Sequence, residues 1–204
     1  MSTLKDKVVL ITGAGKGSGR LLAEAFAAQG AIVAANDISP VNVEEVVDEI
    51  NQQGGRARAY IEDVAKKLGA QNIIKQVEDD FGRIDILINH AAVEPHVPLL
   101  DMDEWDWHRV IDVNLTGAFL MTQSAGRVMR DQGSGVILFL ITEANPKVQN
   151  EAAFVASMNG LVGFTRQAAQ ELSPHGIHVY AIENSRDTIV ENVLAVLGLP
   201  MEEQ

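Results

Sequence analysis

Cysteine is absent from the 204 residues, which removes disulfides, thiol catalysis and thiolate-bound zinc from consideration together. Long apolar runs are absent as well. None reaches the length of a membrane span, so no membrane role is expected. The first residues, Met1-Ser2-Thr3-Leu4-Lys5-Asp6-Lys7, lack the basic-then-apolar layout of a secretory signal, and a cytoplasmic location is the expectation. Basic residues are few, 16 against 28 acidic ones for a formal net charge of −12, and they are scattered. Such a surface repels nucleic acid and anionic lipid, so neither is expected as a partner. No repeat, low-complexity stretch or linker interrupts the chain, and residues 1–204 read as one domain of ordinary globular composition.

What the sequence does hold is an alternation of apolar runs and helical patterns. Strands are expected over 8–11, 31–35, 58–61, 84–88, 136–141 and 177–182. Helices are expected over 20–29, 41–53, 67–81, 103–131 and 152–172, most of them stopped by a glycine. Continuous rather than alternating apolar strands imply burial on both faces, which marks a parallel sheet. Strand–helix alternation with right-handed crossovers then predicts an α/β, doubly wound, three-layer Rossmann fold.

Thr12-Gly13-Ala14-Gly15-Lys16-Gly17-Ser18-Gly19 lies directly between the first strand and the first helix. Glycines there let the backbone turn tightly and let a pyrophosphate approach the amides at the helix N-terminus. Asp37 closes the second strand, near the distance at which an acid meets the adenosine ribose. A carboxylate at that place accepts hydrogen bonds from the ribose hydroxyls and repels a 2′-phosphate, which points to NAD. Lys16 argues the other way, and Asp37 also has a plainer use as a cap for the turn before Pro40.

These residues are similar to a known pattern. Thr12, Gly13, Gly17 and Gly19 resemble the T-G-x-x-x-G-x-G motif of the short-chain dehydrogenase/reductase family. Asp63-Val64 resembles its adenine-contacting pair, and Asn89-His90-Ala91-Ala92 resembles its N-N-A-G segment with the first and third residues kept. Asn114 matches the asparagine that helps hold a proton-relay water. The resemblance runs from about residue 5 to residue 188. It implies a nicotinamide dinucleotide held by Thr12, Gly13, Gly17, Ser18, Gly19, Asp37, Asp63, Val64, Asn89 and Ala91, and a small alcohol or carbonyl as substrate.

The family's chemistry uses a tyrosine, a lysine four residues on, a serine and the asparagine. Here the Y-x-x-x-K site reads Phe154-Val155-Ala156-Ser157-Met158, and Thr142 falls at the serine position. Phenylalanine has no proton to exchange and methionine has no charge. Asn114 and Thr142 therefore remain as catalytic candidates, while Phe154 and Met158 are degenerate positions. The family's Pro-Gly after strand six is replaced by Asn184-Ser185. Family members usually continue with a substrate lid, a helix and a seventh strand. Only an amphipathic piece over 189–197 and a short tail follow Thr188, so strand six is expected as an exposed edge.

Other residues carry open alternatives. His90 faces the active-site floor or helps cofactor packing; Glu94, His96 and Glu143 are either improvised acid/base groups or a solvated loop. Trp105 and Trp107 anchor the long helix to the core or to a neighbour, or else form an aromatic substrate wall, and Met102, Met121 and Met129 pack. His175 and His178 have no third ligand in view, so no metal site is expected. The leading expectation is an NAD(H)-binding relative of these enzymes whose oxidoreduction is lost or strongly reduced. The alternative is an active NAD-dependent oxidoreductase using a substitute acid/base. A homodimer or larger homo-oligomer is expected through the helix over 152–172, whose Ala152, Ala153, Ala156, Ser157, Gly160 and Gly163 permit close approach.

Overall fold

The computed structural model describes residues 4–142, 149–185 and 187–199. Six strands, β1 (Val8–Thr12), β2 (Ile32–Asp37), β3 (Arg56–Ile61), β4 (Ile86–Asn89), β5 (Gly135–Ile141) and β6 (Ile177–Glu183), form one sheet in the order β3-β2-β1-β4-β5-β6. Every pairing is parallel. The helices are α1 (Gly17–Ala28), α2 (Pro40–Gln52), α3 (Lys67–Phe81), α4 (Glu104–Ile111), α5 (Ala118–Gln132), α6 (Ala152–Leu172) and α7 (Ile189–Val196).

The alternation of side chains along each strand divides the apolar residues into two cores. Val9 and Ile11 of β1, Ile86 and Ile88 of β4, and Val136, Leu138 and Leu140 of β5 face α1, α2 and α7. Val8, Leu10, Leu87, Ile137, Phe139 and Ile141 face α3, α5 and α6. The apolar runs are continuous because both neighbours of each residue are buried, on opposite sides. This is the expected doubly wound Rossmann arrangement.

The departures from expectation are local. β3 begins at Arg56 and alternates exposed with partly buried residues, since an edge strand needs only partial cover. β4 begins two residues late because Ile84 and Asp85 precede the ladder proper. The buried Asp85 carboxylate accepts from Val8 N–H at 2.9 Å and pairs with Lys7 at 3.1 Å and Arg83 at 2.6 Å. The long helix expected over 103–131 is continuous but not uniform, for a π-helical segment, Asp112–Gly117, separates α4 from α5. A π turn adds one residue to the helix and has no composition of its own, so apolar runs alone do not mark it. The piece over 189–197 is part of the core: Ile189, Val193, Leu194 and Leu197 are buried beside α1. β6 ends the sheet, with His178 stacked on Tyr180 along its exposed side.

Candidate active site

Strand order reverses between β1 and β4, and their C-terminal ends open into the crevice where doubly wound folds bind ligands. Two loops meet there, the glycine loop after β1 and the segment after β4. Thr12, buried at the end of β1, joins them: its Oγ1 accepts the backbone N–H of His90 and of Ala91, each at 3.1 Å. His90 returns the contact. Its Nδ1 lies 3.1 Å from the Gly13 carbonyl, which can only accept, so the ring carries its proton on Nδ1.

Space decides which glycines are needed. A Cβ on Gly19 would lie 2.2 Å from the Gly13 carbonyl oxygen, and one on Gly13 would lie 2.9 Å from Ala91 Cα. These two serve the closure between loops rather than the approach of a ligand. Gly17 differs: its φ is +59° and a Cβ would meet nothing within 4 Å, so its open side is the one that a phosphate can approach. α1 starts at Gly17, three residues earlier than the apolar pattern suggests, so the helix N-terminus lies inside the glycine loop. Ser18 is buried in that first turn.

From this loop a cleft of about 390 Å³ runs across the sheet edge. At one end it is lined by Gly13, Lys16, Asp37, Asp63 and Val64, at the other by Glu94, Thr142, Phe154, Met158 and Asn184. Asp37 is oriented by two backbone amides, Gly15 N–H at 3.0 Å and Ser39 N–H at 2.9 Å. The capping role and the cleft-facing role therefore coexist. Lys16 is exposed at the same end. Asp63 accepts from Ala65 N–H at 2.9 Å, and Val64 packs beside Gly117. Asn89 is buried: its amide donates to Thr122 Oγ1 at 3.4 Å, and its Oδ1 has no hydrogen-bond partner among the described residues.

At the far end, Phe154 and Met158 stand one turn apart on α6, both nearly buried, with Thr142 half-buried at the exit of β5. Asn114, in the π segment, holds this end together. Its Oδ1 accepts from Val93 N–H at 2.8 Å, and its Nδ2 donates to Val93 O at 3.0 Å and to Ser157 Oγ at 3.1 Å. The side-chain amide of Asn114 thus clamps the β4 loop to α6. A small cavity of about 10 Å³ lies between Asn89, Asn114 and Met158, room for one water. Asn184 Oδ1 is buried with no hydrogen-bond partner among the described residues, and it lines the cleft. An orphaned acceptor at one end, and a carboxylate beside an open helix N-terminus at the other, fit an elongated, phosphate-bearing, amide-bearing ligand.

Sequence reasoning missed one residue here. Glu151, just before α6, is buried and brings its carboxylate to Glu94 and His96. Burial first, then the neighbouring Glu151 carboxylate, raises Glu94 above the usual carboxylate range. No spacing rule joins these residues, because the fold alone brings α6 to the β4 loop. Glu143 lies outside the described residues. Trp105 and Trp107 are exposed and neither anchors its helix to the chain's own core. Met121 and Met129 are core residues, as expected, with Met102 partly buried against the same core.

The family model described as short chain dehydrogenase matches residues 7–185. An uncharacterized oxidoreductase of Thermotoga maritima is 40% identical over 179 residues, spanning 87% of this chain and 70% of that protein. A 3-oxoacyl-(acyl-carrier-protein) reductase of Synechocystis is 38% identical over 187 residues, 89% of this chain and 74% of that one. Among solved structures, an NAD+-bound xylitol dehydrogenase matches with a TM-score of 0.84 at 32% identity, covering 88% of this chain and 70% of its own. A metagenomic short-chain oxidoreductase in complex with NADP matches with a TM-score of 0.89 at 29% identity, covering 96% and 92%.

The His90 lock has a pH signature. Burial is the main cause that holds the ring below its ordinary pKa of 6.5, so the unfolded chain takes up this proton first as the pH falls. Stability present above about 6.5 is then lost as the pH drops toward the lowered folded value. The expected result for His90→Asn, which offers an amide in place of Nδ1–H, is a shallower loss of stability between pH 7 and 5 in denaturant titrations. An unchanged slope would show that His90 is not the group titrating.

Proposed function

The chain belongs to the short-chain dehydrogenase family, and from that premise we propose that it binds NAD(H) along the cleft but has lost, or nearly lost, the family's alcohol–carbonyl oxidoreduction. One observation carries the reading. The cleft's far end is walled by Phe154 and Met158, two side chains that can neither exchange a proton nor supply a charge. They stand where the resemblance expects the tyrosine and lysine. A bound dinucleotide would supply hydride chemistry; this chain would supply the glycine-loop amides for its phosphates, Asp37 for a ribose and Asn184 Oδ1 for an amide N–H. Thr142 offers a hydroxyl that can polarise a carbonyl, and Asn114 is committed to Val93 and Ser157. Losing a positioned general acid typically costs about 10²–10⁴ in rate.

The preference for NAD over NADP rests on Asp37. Its carboxylate is fixed by Gly15 and Ser39 and faces the cleft, so a 2′-phosphate would meet a fixed negative charge. Lys16, exposed on a flexible stem, offsets this only in part. Glu94 supports a second reading, an active NAD-dependent oxidoreductase on an alcohol or carbonyl substrate. Its carboxyl holds its proton more tightly than usual and lines the same end of the cleft. On either reading the expected setting is the cytoplasm, with neither nucleic acid nor membrane as partner; no helix of the described residues is long and apolar enough to cross a membrane.

A homodimer or larger homo-oligomer is also part of this proposal. A groove of about 270 Å³ runs between α5 and α6, where Phe119 is 40% exposed and meets Phe164 edge-on at 6.1 Å. Part of the small-residue stripe on α6 serves the chain itself. Ala153 and Ser157 are buried, and a Cβ on Gly160 would lie 2.8 Å from Leu115. Gly163 faces open space and Ala156 is half-buried, so the outward stripe is narrower than the sequence implies.

Two measurements follow. In thermal melts, NADH at a hundred times its dissociation constant should add about 2.7 kcal/mol of stability, and NADPH at the same concentration much less. Equal stabilisation by NADPH would refute the role given to Asp37. Light scattering at micromolar concentration should report a dimer or a larger oligomer, reduced toward monomer by Phe119→Asp; a monomeric wild type would refute the helix interface.

A further inference from the structure

We propose that Glu94, His96 and Glu151 form a binding site for a divalent transition-metal ion of the zinc or manganese kind, at the far end of the cleft. One donor atom from each lies within 4.8 Å of the other two, and His96 Nδ1 is 3.6 Å from Glu151 Oε1. Glu151 is the buried member, 9% exposed. Its carboxylate faces the His96 ring and shares a hydrogen bond with the Glu94 carboxyl. Two carboxylates that meet where one is buried repel each other unless a proton or a cation lies between them. A cation would be met by both carboxylates and by the imidazole, whereas a shared proton leaves the imidazole without a part to play.

The ligands are also held in place. Glu94 and His96 belong to the run Glu94-Pro95-His96-Val97-Pro98. The two prolines fix their own φ and bias Glu94 and Val97 toward extended backbone. Residues two apart on extended backbone face the same side, which brings both side chains toward α6. Glu151 is set by the first turn of α6, where its carbonyl accepts Val155 N–H at 2.8 Å. Two oxygen donors and one nitrogen suit zinc or manganese; magnesium and calcium favour all-oxygen shells. Three protein ligands leave a position open to water or to the oxygen of a small ligand. The inference does not rest on dinucleotide binding, since none of the three residues is assigned to that task.

The test is titration of the chelator-treated full chain with zinc, manganese and magnesium chloride separately, read by calorimetry and by thermal melts. One equivalent of zinc or manganese should bind and raise the melting temperature, with magnesium far weaker. His96→Ala, on an exposed side chain, and Glu151→Gln should each weaken binding by roughly 10–100-fold or more, the scale set by losing even a supporting residue. Without metal, Glu151→Gln should melt higher than wild type, because its repulsion of the Glu94 carboxylate is gone. No binding would overturn the proposal. So would magnesium binding as tightly as zinc, which would mark a merely acidic surface, or zinc binding undiminished in the His96→Ala, Glu151→Gln double variant.

Discussion

The junction on which the cleft is built rests on a single hydroxyl at the end of β1. Thr12 Oγ1 accepts two consecutive backbone amides, from His90 and Ala91, and so fixes the exit of β4 against the glycine loop. The strands bring these two loop starts side by side, but parallel pairing between β1 and β4 stops at Ile11 and Ile88. Beyond that point no ladder joins β1 to β4, and the hydroxyl takes its place between them. The His90 contact to Gly13 closes the same junction from the other side. Gly13 and Gly19 are small because this closure leaves no room for a side chain, whereas a Cβ on Gly17 would meet nothing within 4 Å.

A second clamp sets the opposite end. Asn114 spends its whole side-chain amide on Val93 and Ser157, which joins the β4 loop, the π segment and α6. With both ends held, the positions of Asp37, Thr142, Phe154 and Met158 are properties of the scaffold rather than of mobile side chains. The chemistry of the site then turns on residue identity alone. A cleft shaped for a dinucleotide ends in a phenyl ring and a thioether, and the Glu94 that lines the same end clusters with His96 and Glu151.

The fold was legible in the sequence because its signals are short-range. Continuous apolar runs, glycine stops and the glycine loop each occupy fewer than about ten residues, and parallel burial leaves a plain mark on them. Thr12, Asp37 and Asn114 were legible as residues, but what each one touches was not. The contacts of Thr12 with His90 and of Asn114 with Ser157 join distant parts of the chain, and no local pattern encodes them. The π segment escaped for a different reason, since its extra residue carries no composition that marks it. Glu151 escaped because a lone glutamate before a helix looks like any other until α6 meets the β4 loop.

The central claim is that the cleft accepts a reduced nicotinamide dinucleotide without completing the reaction, and one experiment addresses it directly. NADH is titrated into the protein while its fluorescence is followed, and a panel of aldehydes and ketones is then added to the saturated sample while its absorbance is followed. The account predicts a saturable fluorescence change and then an absorbance that stays flat, or falls orders of magnitude more slowly than the roughly 1–10³ s⁻¹ typical of enzymes. Oxidation of bound NADH within that range by any member of the panel would contradict it.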